Sequence, residues 1–121
     1  MAKLKATTFG RIGALHTPDP FKLPTPELVL GHNTRSRVAI DGDGFRCFLI
    51  SLHGHRIVEL HHDVTRISLA GYPTVTTRER INQLLPPGYR VFQKAHTQYL
   101  RRPDGTVEAL DSREWVDCPL V

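Results

Sequence analysis

The segment Gly71-Tyr72-Pro73-Thr74-Val75-Thr76-Thr77-Arg78-Glu79-Arg80-Ile81-Asn82-Gln83-Leu84-Leu85 constrains the fold of this chain more than any other. Gly71 and Pro73 punctuate it. Thr76 and Glu79 have the Thr-x-x-Glu spacing of a capping box, in which the threonine oxygen accepts from a first-turn amide and the glutamate reaches back. Ile81, Leu84 and Leu85 fall on one helical stripe, while Arg78 and Asn82 lie toward a more polar side. Pro86-Pro87-Gly88 stops the helix. The spacing predicts one principal helix at about 77–85 with strand-like sequence on both sides.

Upstream, Arg37-Val38-Ala39-Ile40 leads into Asp41-Gly42-Asp43-Gly44, a tight-turn sequence because Asp and Gly tolerate positive φ. Phe45 to Leu52 is the most apolar strand and reads as buried on both faces. His53-Gly54-His55 supplies the next turn. Arg56–Leu60 and Val64–Leu69 follow as strands, the second alternating Thr65, Ile67 and Leu69 with Arg66 and Ser68. Downstream, Tyr89–Lys94 and Gln98–Arg101 read as a hairpin, and Pro103-Asp104-Gly105 turns the chain into Thr106–Leu110. The fold class is therefore α+β, mainly antiparallel sheet with one principal helix.

Both ends read differently from this middle. Pro18, Pro20, Pro24 and Pro26 crowd the N-terminal stretch, remove amide donors and fix φ. Phe21, Leu23, Leu28, Val29 and Leu30 interleave with them, so residues 1–34 read as an extended Pro-rich arm, either a strip packed on a neighbour or a flexible linker, with the apolar residues favouring packing. Residues 35–110 read as a single α+β domain, and 111–121 as an acidic C-terminal tail. The net charge of +4 hides this asymmetry. Residues 1–102 carry 15 Lys/Arg against 7 Asp/Glu, and residues 103–121 carry one against five. No apolar run approaches the ~20 residues that span a bilayer, and the Met1–Gly10 stretch lacks the continuous apolar region of a signal peptide. Cys47, among Phe45, Phe48, Leu49 and Ile50, reads as a small buried hydrophobe. Cys118, near the C-terminus, reads as a candidate exposed thiol. The widely separated pair suggests no disulfide framework, and the chain reads as cytoplasmic.

Catalytic and metal chemistry find little support. His53, His55, His61 and His62 cluster in sequence, and two adjacent hairpin ends would bring imidazoles near one another, but no Cys-x-x-Cys or His-Glu-x-x-His accompanies them. Ser51, Ser68 and the threonines at 74, 76 and 77 lack a glycine-flanked elbow. Asp41 and Asp43 are explained by the turn. The expectation is no catalytic residue, no metal and no cofactor.

Twelve of the sixteen cations are arginine, whose forked donors suit phosphate and carboxylate, although a GC-rich genome also favours arginine. Arg78 and Arg80 fall in the first helical turn, Arg101 and Arg102 end a strand, and Arg35, Arg37, Arg46, Arg56 and Arg66 sit on or beside strands. If several share a face, they form the electrostatic footprint of a phosphate binder. Tyr99 beside Arg101, or Phe92 between Arg90 and Lys94, would add stacking to charge. Arg78, Arg80, Arg101 and Arg102 are the candidate contacts. Trp115 and Leu120-Val121 are candidate anchors for a protein partner.

The succession Asn33-Thr34, Asp43-Gly44, Ser51-Leu52-His53-Gly54, Gly71-Tyr72-x-Thr74-x-Thr76-Thr77-x-x-Arg80-Ile81-Asn82 and Gly88-x-x-Val91-x-Gln93 resembles small proteins of unassigned activity encoded by tailed phages of actinobacteria. The resemblance spans roughly residues 30–110, with Tyr72 where the group has a tryptophan, and Pro73 after it. It implies a phage accessory protein acting in the infected bacterial cytoplasm. The expected function is non-enzymatic binding of a host or phage macromolecule. The alternatives are a nucleic-acid-binding module with an arginine-rich face and a self-assembling protein that forms a homo-oligomer through the arm or a strand edge.

Overall fold

The computed structural model describes residues 8–16 and 27–120. Its strands form two antiparallel sheets. The larger contains β1 (Glu27–Gly31), β2 (Thr34–Ile40), β3 (Arg46–Leu52), β4 (His55–Leu60), β5 (Val64–Ile67) and β9 (Val116–Pro119), adjacent in that order. The smaller is the meander β6 (Arg90–Lys94), β7 (Thr97–Arg101) and β8 (Val107–Ala109). Helices α1 (Thr8–His16) and α2 (Val75–Leu84) complete the order. The expected α+β class with mainly antiparallel sheet is observed, but with two helices among the described residues where one was expected.

Local turn chemistry explains most of the large sheet. Asp41 Oδ1 accepts from the Asp43 and Phe45 amides, both at 3.0 Å, and Gly44 takes φ +86°, closing the β2–β3 connection. His53 and Gly54 both adopt positive φ, as a two-residue hairpin turn requires. The β2–β3 register pairs Thr34 with Leu52, Ser36 with Ile50 and Val38 with Phe48, and these positions form the inner face. On β3, Phe48, Ile50 and Leu52 are buried, whereas Leu49 and Ser51 on the other face are only half-buried. Cys47 on that second face is buried, as expected, so the strand is covered fully on one side and in part on the other. A bulge opposite Ile50/Ser51 lets the neighbouring Ile57 and Val58 of β4 both enter the core.

Both helices lie on this inner face. Ile81, Leu84 and Leu85 join Phe48, Ile50, Leu60, Val91 and Leu100 in one buried cluster, as the helical stripe predicts. The start of α2 differs from the expected capping box. The N-cap is Thr74, whose Oγ1 accepts from the Thr77 amide at 3.2 Å, so the helix begins two residues earlier than expected and Thr76 is exposed. Thr74 takes the extended conformation of an N-cap, and Pro73 lies outside the helix, where its missing amide costs no helical hydrogen bond.

At the N-terminus, α1 falls inside the stretch read as an arm. Its Ile12 and His16 are fully buried, and His16 stacks on Phe48 at 5.2 Å and hydrogen-bonds with Ser36 at 2.8 Å. Gly13 permits that approach, because a Cβ there would come within 3.3 Å of the Phe48 ring. β1 also comes from this stretch and pairs with β2. Pro18, Pro20, Pro24 and Pro26 lie outside the described residues, as do Phe21, Leu23 and Val121.

The acidic C-terminal segment supplies a strand. β9 pairs with β5 and puts Cys118 opposite Thr65 with no exposed surface, so the candidate exposed thiol is a core residue. Two side chains from the second sheet region also hold β9. Tyr89 Oη donates to the Pro119 carbonyl at 2.7 Å, and Arg102 donates to the Asp117 carbonyl at 3.3 Å.

Candidate nucleic-acid interface

The four arginines singled out from sequence do not form one surface. Arg78 donates to the Pro73 carbonyl and to Gln93 and Gln98, at 2.9 to 3.0 Å, and so ties α2 to the second sheet. Arg80 donates to Thr34 Oγ1 at 3.0 Å, tying α2 to β2. Arg102 holds Glu108 through two donors, at 2.9 and 2.6 Å. Burial alone would lower its pKa, and the Glu108 contact outweighs that, leaving it above the ordinary arginine value. Of the four, only Arg101 is exposed with no ion-pair partner among the described residues.

Arg101 has company that the sequence alone did not fix. β6 and β7 are joined by the two-residue turn Ala95-His96, with φ of +49° and +66°. That turn sets the register: Arg90 faces Arg101, Phe92 faces Tyr99, and Lys94 faces Thr97. On β8, Ala109 faces Tyr99 and Val107 faces Arg101. The alternate positions Val91, Gln98 and Leu100 are buried. The outward face therefore carries Arg90, Phe92, Lys94, Thr97, Tyr99 and Arg101, with Val107 and Ala109 beside them. None of these positions is a carboxylate.

Phe92 and Tyr99 are half-buried and stack on each other, with ring centroids 5.5 Å apart. Arg90, Lys94 and Arg101 are exposed, and no ion pair involves them among the described residues. Like charges directly opposite on a ladder repel. Arg90 and Arg101 occupy such a pair, and an anion between them would convert that repulsion into two attractions. Non-glycine residues at positive φ also strain the turn beside Lys94, at roughly 1 kcal/mol each.

The outer face of the large sheet is richer in arginine but largely neutralised. Arg35 lies 2.9 Å from Glu27, and Arg66 lies 2.9 Å from Asp117 and 3.4 Å from Glu59. Arg56 is 3.8 Å from Glu59. Arg37 has no such partner among the described residues. Arg46 is not on this face, since its guanidinium lies over the Phe48 ring. A shallow hollow of about 520 Å³ sits here, bordered by Arg56, Arg113, Ser51, Ser68 and Trp115. Arg66 covers one side of Trp115 at 5.6 Å, so that ring docks on the chain's own surface.

The histidines separate. His61 sits 3.2 Å from Glu59 and 3.7 Å from Asp41, His62 packs on Phe45, and His55 packs on Tyr72. Among the described residues, no group of three or more His, Cys, Asp or Glu side chains is arranged to hold a metal ion. His53, His55 and Tyr72 instead border a more apolar hollow of about 350 Å³ that reaches Thr74 and Thr77 at the start of α2.

The geometry defines a small α+β protein of two antiparallel sheets, one of which presents an open face of cations around an aromatic pair. The chain belongs to the Kyanoviridae Gp96 protein family, whose model matches residues 29–118, and it is accordingly a phage protein. The match runs from β1 into β9, past the end of the actinobacterial-phage resemblance and into the acidic segment. No curated protein and no solved structure matches the chain. No helix among the described residues is long and apolar enough to cross a membrane.

Proposed function

We propose that this phage protein is a non-enzymatic accessory protein that binds nucleic acid in the host cytoplasm through the outward face of β6, β7 and β8. The observation that carries the reading is the cross-strand pair Arg90–Arg101, two opposed cations with no carboxylate at any outward position of the sheet. Lys94 adds a third charge beyond the aromatic pair. Elsewhere, Glu27, Glu59, Asp117 and Glu108 pair with Arg35, Arg66 and Arg102, which weakens those surfaces as phosphate sites. The spaced residues from Gly71 to Asn82 further support a source among actinobacterial phages.

Salt dependence tests the proposal, because each neutralised phosphate releases counterions. Mobility-shift titrations at two salt concentrations are expected to show binding that weakens steeply as salt rises. Changing Arg90→Gln and Arg101→Gln together is expected to flatten the log–log slope by about two units without altering thermal melting. No shift at roughly micromolar protein in low salt would end the proposal, since even non-specific binding normally appears in that range.

A further inference from the structure

We infer that the ligand of this face is a single-stranded nucleic acid whose bases stack on Phe92 and Tyr99. The inference rests on the reading of the face as a nucleic-acid interface and specifies the form of its ligand. Three exposed cations suffice to hold a duplex, whose outside is phosphate and whose base faces are hidden inside the stack. Aromatic rings in the middle of a polar sheet face do nothing for such a partner. They serve a strand whose bases are already unstacked and offer a π-face to each ring.

The order of residues along the hairpin fits this ligand. The opposed pairs Arg90–Arg101, Phe92–Tyr99 and Lys94–Thr97 follow one another at two-residue steps, which is about 7 Å per step along a strand. A nucleic-acid backbone running along β6 and β7 meets two guanidinium groups, then the aromatic pair, then an ammonium and a hydroxyl. Positive charge thus lies on both sides of the platform, at a spacing of the order of one extended nucleotide. Phe92 and Tyr99 remain half-buried, so each ring keeps surface for a base while the other side rests on its partner. The exposed Val107 and Ala109 extend the apolar strip onto β8.

Fluorescence anisotropy separates this ligand from its rivals. The probes are a labelled oligothymidylate on the order of ten nucleotides and a duplex of equal length, with heparin as a baseless polyanion. The single strand is expected to bind at least roughly ten-fold more tightly than the duplex. Phe92→Leu and Tyr99→Leu are each expected to weaken single-strand binding by about five- to a hundred-fold, leaving heparin binding unchanged. Thermal melting identifies any variant that fails to fold, and the comparison of single strand with duplex on the unaltered protein needs no variant.

Equal or tighter binding of the duplex would overturn the inference while leaving the nucleic-acid reading in place. So would ring variants that melt normally and bind the oligothymidylate as the unaltered protein does. Trp115, the sole tryptophan, lies on the other sheet region. Its quenching by the oligonucleotide, with ring variants binding normally, would move the site to the hollow beside Arg56 and Arg113 and overturn the inference. Absence of binding to every nucleic acid would remove both the inference and the reading beneath it.

Discussion

At Cys118, position in the fold outweighs position in the sequence. The thiol lies two residues inside the last described position yet has no exposed surface, and burial pushes its pKa up to about 12 from an ordinary value of 9.0, against a lowering by Arg102. Burial likewise raises Cys47 and Tyr89. Above pH 9 the unfolded chain gives up the Cys118 proton while the folded chain keeps it to about pH 12. Stability from this group is therefore intact below pH 9 and is lost as pH climbs toward 12. Melting temperature is expected to fall across that window, and to fall less steeply in Cys118→Ala, which starts from a lower value because of the cavity. An equal slope in the variant would remove Cys118 as a cause. Gly88 shows the same dependence on surroundings: it sits at φ +88°, and a Cβ there would come within 2.9 Å of Pro103.

Among the elements, α2 is the joint between the sheets. The Asn82 side chain accepts from the Val91 amide at 2.7 Å and donates to the Val91 carbonyl at 2.8 Å. It thereby occupies the free edge of β6 as a neighbouring strand would, satisfying both the amide and the carbonyl of Val91. Removing it strands a buried donor and acceptor, so Asn82→Ala is expected to cost about 2–4 kcal/mol. Asn82→Asp retains the shape and the acceptor but sets an oxygen against the Val91 carbonyl, so chemical denaturation should show a loss of similar size. Near-neutral stability of Asn82→Asp would mean that this edge contact is dispensable. Arg78 and Arg80 act alongside it, toward Gln93 and Gln98 and toward Thr34. The polar side of the helix, read from sequence as candidate phosphate contacts, is engaged in holding the two sheets on one core.

For the molecule as a whole, the C-terminal segment is a clasp. β9 covers the β5 edge, buries Cys118 against Thr65, and receives Tyr89 and Arg102 from the region of the second sheet. An acidic tail free to compete with nucleic acid for basic surface would strengthen binding when removed. A clasp makes the opposite claim: deleting residues 111–121 is expected to expose the edge of β5 and lower the melting temperature sharply or abolish cooperative unfolding. A truncated protein that melts like the full chain would return the segment to the status of a tail. The segment's negative charge has a partner in the fold, since Asp117 pairs with Arg66 at 2.9 Å.

What the sequence determined by itself was local. Asp41-Gly42-Asp43-Gly44, His53-Gly54 and Pro86-Pro87-Gly88 mark turns because few residue types tolerate the backbone angles those turns need. The two-residue alternation of β5 and the Ile81-Leu84-Leu85 stripe likewise follow from the geometry of one element. The start of α2 lies two residues before the position its capping-box spacing indicates, because Thr74, Thr76 and Thr77 all offer a capping oxygen and the packed turn decides among them. α1 carries no clear sequence signal, since Gly10 and Gly13 lower helix propensity, and the close approach to Phe48 accounts for a glycine at 13. Tertiary structure alone decided which arginines remain exposed and unpaired, because a cation's partner is set by contacts between residues far apart in the chain. Arg66 meets Asp117 and Arg80 meets Thr34 across such distances, whereas Arg90 and Arg101 meet each other once the Ala95-His96 turn fixes the register.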